Sequence, residues 1–207
     1  MPAAQDRLDS PFRQAMLYVV RALGEVGVMK LEKTLYLADL EHFRTTGRRV
    51  TGARWLRHRF GPMAKSIVPS TRLMSGHEIT VTHEAVGPYE SDVYRPGPAP
   101  RFEPRLADDE RASLDRAIEL GRALTGARLA RLSYNTTPML VHLKREAEEA
   151  REIWDATLSF DNHPGHIAEG IGRPPEADQQ ARLAFKRAEL DRVEDLQQAA
   201  LATANRS

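Results

Sequence analysis

KLEKTLYLADLEHFRTTGRRVTGARWLRHRFGPM, residues Lys30 to Met63, is the stretch on which the fold turns. Its first half is helical. Leu31, Leu35, Tyr36, Leu37, Leu40 and Phe43 recur around more than one stripe, which predicts a central helix from about Met29 to Thr45, ended by Gly47. Then the period changes. Val50-Thr51-Gly52 reads as a turn into a strand over Ala53 to Phe60. There Trp55, Arg57 and Arg59 share one face, and Arg54, Leu56, His58 and Phe60 the other. Neither face is apolar, which marks an edge strand or a strand covered by something polar. Gly61-Pro62 breaks it, and Pro62 is expected to open a helix through about Met74, closed by Ser75-Gly76.

The flanks are read the same way. Ahead of the stretch, a polar lead-in of nine residues gives way to Ser10-Pro11, an N-cap followed by proline at the first helical position. Phe12, Ala15, Met16, Val19, Val20, Leu23 and Val26 carry that helix to Gly27. After the stretch, Glu78 to Glu84 and Tyr89 to Arg95 form a hairpin about Val86-Gly87-Pro88. A proline-rich connector runs from Arg95 to Arg105. Asp108-Asp109-Glu110 then set acids on the first turn of a helix whose buried stripe is Leu114, Ala117, Ile118, Gly121 and Leu124. A short helix through Leu132 follows, and another from about Pro138 to Leu158 with Ile153 and Trp154 near its end. Beyond a Gly/Pro-dense linker, Ala177 to Ala204 is a charged helix with a thin apolar stripe that includes Leu183, Leu190 and Val193. The fold class expected is α+β, predominantly helical, with a small antiparallel β-sheet and a C-terminal helical extension. Residues 1–160 form the domain and 161–207 the linker and arm.

Composition narrows the function. The 207 residues are 41% hydrophobic and 29% charged with a formal net charge of +1, an ordinary globular balance and a poor one for a general polyanion binder. With no cysteine, disulfides, thiolate metal sites and a cysteine nucleophile are excluded. No apolar run is long enough to span a bilayer, and the N-terminal residues lack the pattern of a signal peptide, so a cytoplasmic location is expected. His163 and His166 are the closest histidine pair but have no third ligand at metal spacing, and His142 with Glu146 reads as a surface pair on a helix. No nucleophile elbow, zinc-protease, P-loop or dinucleotide motif is present. We therefore expect neither enzyme chemistry nor a cofactor.

One local feature stands out from this neutral background. From His42 to His77 there are eight Lys or Arg residues and no Asp or Glu. An arginine-rich strand carrying Trp55 suits phosphates and bases, the protection of a sheet edge against aggregation, or an acidic protein partner. Charge alone does not separate the three. The C-terminal helix likewise reads as a solvent-exposed extension or as an arm that completes its burial in a partner's groove, with Leu190 and Val193 as contacts.

The order of motifs in Lys30 to Met63 resembles the Panacea, or SocA-like antitoxin, domain. The resemblance rests on Lys30-Leu31, on Leu35 to Asp39 with Glu41-His42, on Thr46 to Arg48 with Thr51 to Ala53, and on Phe60-Gly61-Pro62. The family often carries a Thr-His pair before a Trp-containing helix, whereas this chain has SYNTTPM at Ser133 to Met139 without that histidine. The resemblance implies an antitoxin of bacteria or their phages that neutralises a toxin encoded by the neighbouring gene through direct protein–protein binding. The arginines Arg49, Arg54, Arg57 and Arg59, with Trp55, then become candidate partner contacts. Glu146, Glu149 and Glu152, or the run Glu189 to Asp195, are candidates for masking a basic toxin site. The alternatives it leaves open are a DNA-binding autoregulator using residues 44–72 and an adaptor that delivers a toxin to a protease.

Overall fold

The structure, a computed structural model, describes residues 10–86, 89–98 and 102–160. Its first helix, α1 (Pro11–Leu23), buries Phe12, Ala15, Met16, Val19 and Val20. It stops four residues before the predicted end, because Gly24 takes φ 74° and turns the chain. Val26–Gly27 then form the short strand β1 instead of a last helical turn. Val26 is buried in either conformation, so its apolarity could not distinguish them.

Helix α2 (Val28–Thr46) is the central element expected. It buries Leu31, Lys33, Thr34, Leu35, Tyr36, Leu37, Ala38, Asp39 and His42, and packs against α1, α4 and α5 as well as both sheets. Gly47 closes it in the left-handed region, its N–H bonded to the Phe43 carbonyl.

The strand after α2 is shorter than expected, and its neighbour is a correction. β2 (Trp55–His58) turns through Arg59-Phe60 into β3 (Gly61–Ala64), a two-residue hairpin in which His58 pairs with Gly61. Gly61-Pro62 therefore begins a strand rather than a helix. Pro62 is tolerated because β3 is an edge, and its carbonyl accepts from Lys33 Nζ at 2.7 Å. Gly61 has φ 90°, and a Cβ there would lie 2.9 Å from Ser133 Oγ. Gly61→Ala is expected to lower stability by about 1–3 kcal/mol in a urea titration, combining backbone strain with that contact. Helix α3 (Ile67–Met74) follows only after β3.

The second hairpin is as expected: β4 (Ile79–Val86) pairs with β5 (Tyr89–Pro96), and β1 adds to β5 to give the order β1-β5-β4. Helix α4 (Asp108–Ala123) starts at the three acids, with the Glu110 carboxylate accepting from the Ala107 N–H at 2.9 Å. It buries Leu114, Ala117, Ile118 and Gly121. Helix α5 (Gly126–Tyr134) is capped by the Thr125 hydroxyl.

The helix predicted to Leu158 ends ten residues early, as α6 (Thr137–Glu148). Ala150 (φ 50°) and Asp155 (φ 57°) reverse the chain, and Asp155–Leu158 run back antiparallel along the free edge of β2. The Arg57 N–H donates to the Ala156 carbonyl (2.7 Å), Asp155 N–H to Arg57 (2.8 Å) and Leu158 N–H to Trp55 (2.9 Å). β2 is thus flanked on both sides by backbone. Phe160 closes the core edge-on to Tyr36 (5.7 Å) and Phe43 (5.6 Å). The fold class α+β, mostly helical with small antiparallel sheets, stands. The expected lead-in at residues 1–9, the His163/His166 pair, the acidic run Glu189 to Asp195, and the C-terminal arm with Leu190 and Val193 lie outside the described residues.

Candidate interaction face on the arginine hairpin

The β2–β3 hairpin is anchored from below by two buried charge networks. In the first, Asp39 of α2 accepts from the Thr51 N–H (2.7 Å), the Thr51 hydroxyl and the Trp55 indole N–H (2.7 Å). Thus the acid of the LYLAD helix holds both the TGA turn and the start of β2. Burial pushes Asp39 up to about 6, against the pull of these donors. Trp55 is wholly buried and edge-on to Tyr36 at 5.4 Å. The Tyr36 hydroxyl in turn meets Thr136 Oγ1 at 2.6 Å, in the SYNTTPM segment.

The second network centres on Arg57. Its guanidinium is fully buried, 3.1 Å from the Glu146 carboxylate, which is buried too. The cation lies against the ring of Trp154 (4.7 Å) and that of Tyr134 (5.5 Å), and one of its nitrogens donates to the His58 carbonyl. The other Glu146 oxygen accepts from the Ile153 N–H at 2.9 Å. One glutamate therefore ties α6, β2 and the returning segment together. His142, a turn earlier on α6, is also buried and donates from Nε2 to the Thr157 carbonyl at 3.0 Å.

These placements correct the contact residues read from sequence. Trp55, Arg57 and Glu146 are interior, and the His142–Glu146 surface pair is likewise two buried groups with separate partners. Arg49 is half-buried, donating to the Ala53 carbonyl at 2.8 Å and lying over Phe160 at 5.6 Å. Glu149 is exposed but clasped by Arg145 (2.6 Å) and Arg151 (2.7 Å), which hold its carboxyl below the usual range. It is not a free acid for masking a basic surface. Glu152 is exposed. The basic stretch is also less available than its composition implied, since Arg44, Arg48, Arg57 and Lys65 each have a carboxylate within 4 Å.

Arg54 and Arg59 remain exposed, with no carboxylate within 4.0 Å among the described residues. Arg54 Nε donates to Thr157 Oγ1 at 2.7 Å, and Arg59 lies over the Phe60 ring at 5.7 Å. Beside them is an aromatic cluster that the sequence did not single out. His58 is 6.5 Å from both Phe60 and Trp154, and both of those rings are 40% exposed. Burial, with the nearby Lys33 charge, holds His58 below its ordinary value, so it is neutral near pH 7. The Tyr134 hydroxyl donates to the Arg59 carbonyl at 2.6 Å and fixes the hairpin tip. Strand alternation already placed His58 and Phe60 on one face. Nothing local to the hairpin could have supplied Trp154.

Among the described residues no group of three His, Cys, Asp or Glu is placed to hold a metal, and no helix is long and apolar enough to cross a membrane. Compared with known proteins, the chain matches the sequence model of one family, described as "Antitoxin SocA-like, Panacea domain", over residues 31–138, more than half of its 207 residues. No curated protein and no solved structure matches it.

Proposed function

Because the chain belongs to the SocA-like antitoxin, Panacea domain family, we propose that it neutralises a toxin encoded by the neighbouring gene, in the cytoplasm, by covering it through the Phe60–His58–Trp154 face. The observation that carries this reading is the pair of half-exposed rings with Arg59 lying over Phe60, and with Arg54 exposed just before β2. Trp, Arg and other aromatics dominate binding energy where they are rigidly presented and desolvated on contact. Rigidity comes from below, where Trp154 rests on the buried Arg57 and Phe60 sits in a two-residue turn tied to Tyr134. The toxin surface that fits is apolar at its centre and acidic at its rim, opposite Arg54 and Arg59. The chain makes and breaks no bond in this account. Inhibition is stoichiometric.

Growth rescue tests it. Co-expressed with the neighbouring gene product, the chain is expected to restore growth and co-purify with it. Phe60→Ala combined with Arg59→Glu is expected to weaken binding at least tenfold, about 1.4 kcal/mol, with its thermal midpoint within a few degrees of the parent. Rescue that survives this variant at limiting expression would place the contact elsewhere. Rescue accompanied by toxin degradation would favour an adaptor. Rescue through lowered toxin transcription, with operator binding that falls steeply with salt, would favour a regulator.

A further inference from the structure

The molecule protects its strand edges unequally. The outer side of β2 is covered by residues 155–158. On β3, which is only four residues long, Lys33 Nζ bonds the Pro62 carbonyl. β1 is only two residues long. β4 is different. At its start the Ile79 carbonyl accepts from the Gly76 N–H at 2.9 Å, but from Thr80 to Ala85 no backbone group is bonded on the outer side among the described residues. The pairing with β5 runs unbroken from Ile79–Pro96 to Val86–Tyr89, so no bulge bends the edge away. The strand also contains no Pro, Lys or Arg. An edge of this length without those devices is a template for another strand.

We propose that the occupant is β4 of a second copy, paired antiparallel across a two-fold axis at Thr82, so that two three-stranded sheets become one of six strands. Charge selects both the partner and the register. In a two-fold antiparallel pair some residue must face its own copy. An axis at His83 would oppose two imidazoles, one at Glu84 two carboxylates, and one at Val81 would set Glu84 against Glu78. The axis at Thr82 opposes Thr to Thr, Thr80 to Glu84 and Val81 to His83, with no like charges facing. Glu84 is already held by Arg95 at 2.7 Å, so it enters the pair partly neutralised. α3 runs directly into Ser75, which bridges to Ile79, and its Val68 (53%) and Leu73 (42%) are exposed.

The chain has no cysteine, which makes the test clean. In the full-length protein, Thr82→Cys is expected to form an oxidised dimer, since directly opposed Cβ atoms lie about 4.5–5.5 Å apart. Ala85→Cys, three residues from the axis and so well separated from its own copy, is expected to stay monomeric under the same oxidation. By sedimentation, Thr80→Glu, which sets a new acid against Glu84 twice, is expected to weaken the dimer at least tenfold, and Thr80→Lys to tighten it. A full-length protein that sediments as a monomer at every concentration would overturn the proposal. So would oxidised dimers through residue 85 rather than 82, or Thr80→Glu and Thr80→Lys moving the equilibrium in the same direction. None of these readouts requires the toxin, so their failure leaves the neutralisation reading standing.

Discussion

Glu146→Ala is expected to destabilise the fold by about 3–5 kcal/mol, because it removes the buried carboxylate 3.1 Å from the Arg57 cation. A domain of this size has only about 5–15 kcal/mol to lose. The same substitution removes the acceptor of the Ile153 N–H, so the segment carrying Trp154 loosens along with α6. The control is removal of both charges. Arg57→Met with Glu146→Leu is expected to recover most of the loss in urea titrations, since apolar side chains of similar size replace buried ion pairs at little cost. A Glu146→Ala variant within about 1 kcal/mol of the parent would contradict the buried pairing. If the proposed face is right, this single variant also loses toxin binding at temperatures where it remains folded.

Asp39→Ala carries the second large effect. It leaves the Thr51 N–H, the Thr51 hydroxyl and the Trp55 indole N–H without their acceptor, at about 1–3 kcal/mol each. Removing a buried acid offsets part of this, so the net loss near pH 5 is expected to be about 3 kcal/mol or more. The pH dependence has a definite sign. The folded carboxyl is raised to about 6 from its ordinary value of about 4. The folded state therefore holds its proton more tightly, and the stability from this group is fully present below about pH 4 and lost as pH rises through about 6. The gap between parent and Asp39→Ala is expected to be about 1 kcal/mol smaller at about pH 7.5 than at about pH 5. A gap that widens instead would mean that Asp39 is held charged by its donors.

How much of this was legible in sequence varies with the range of the interaction. α2 was readable because its apolar residues wrap the helix, and Gly47 ends it by a local conformational rule. The β4–β5 hairpin was readable from alternation and a turn signal. The β2–β3 hairpin was not, since Gly-Pro after a strand fits a break as well as a turn, and what decides is the space beside Ser133, far away in the chain. The burial of Arg57 was hidden for the same reason. Its carboxylate is 89 residues away, on a helix that itself looked longer than it is. Ile153 and Trp154 continue the helical spacing of α6, and only the left-handed turn at Ala150 sends them back to β2. Strand alternation did group Trp55 with Arg57, and these two face the interior, while Arg54, His58 and Phe60 face outward. Leu56, expected on the face of Arg54 and His58, is buried as well, and Arg59, expected on the face of Trp55, is exposed, so two-residue alternation does not separate inside from outside along β2 and the turn after it.

The most direct measurement is calorimetric titration of the purified chain against the purified product of the neighbouring gene, for the parent protein and for Phe60→Ala combined with Arg59→Glu. The account predicts saturable binding by the parent at a fixed stoichiometry, and at least tenfold weaker binding by the variant, about 1.4 kcal/mol, with the variant's melting curve little changed. Equal affinity for parent and variant would remove the Phe60–His58–Trp154 face from the interface, and no binding by the folded parent would contradict direct neutralisation altogether.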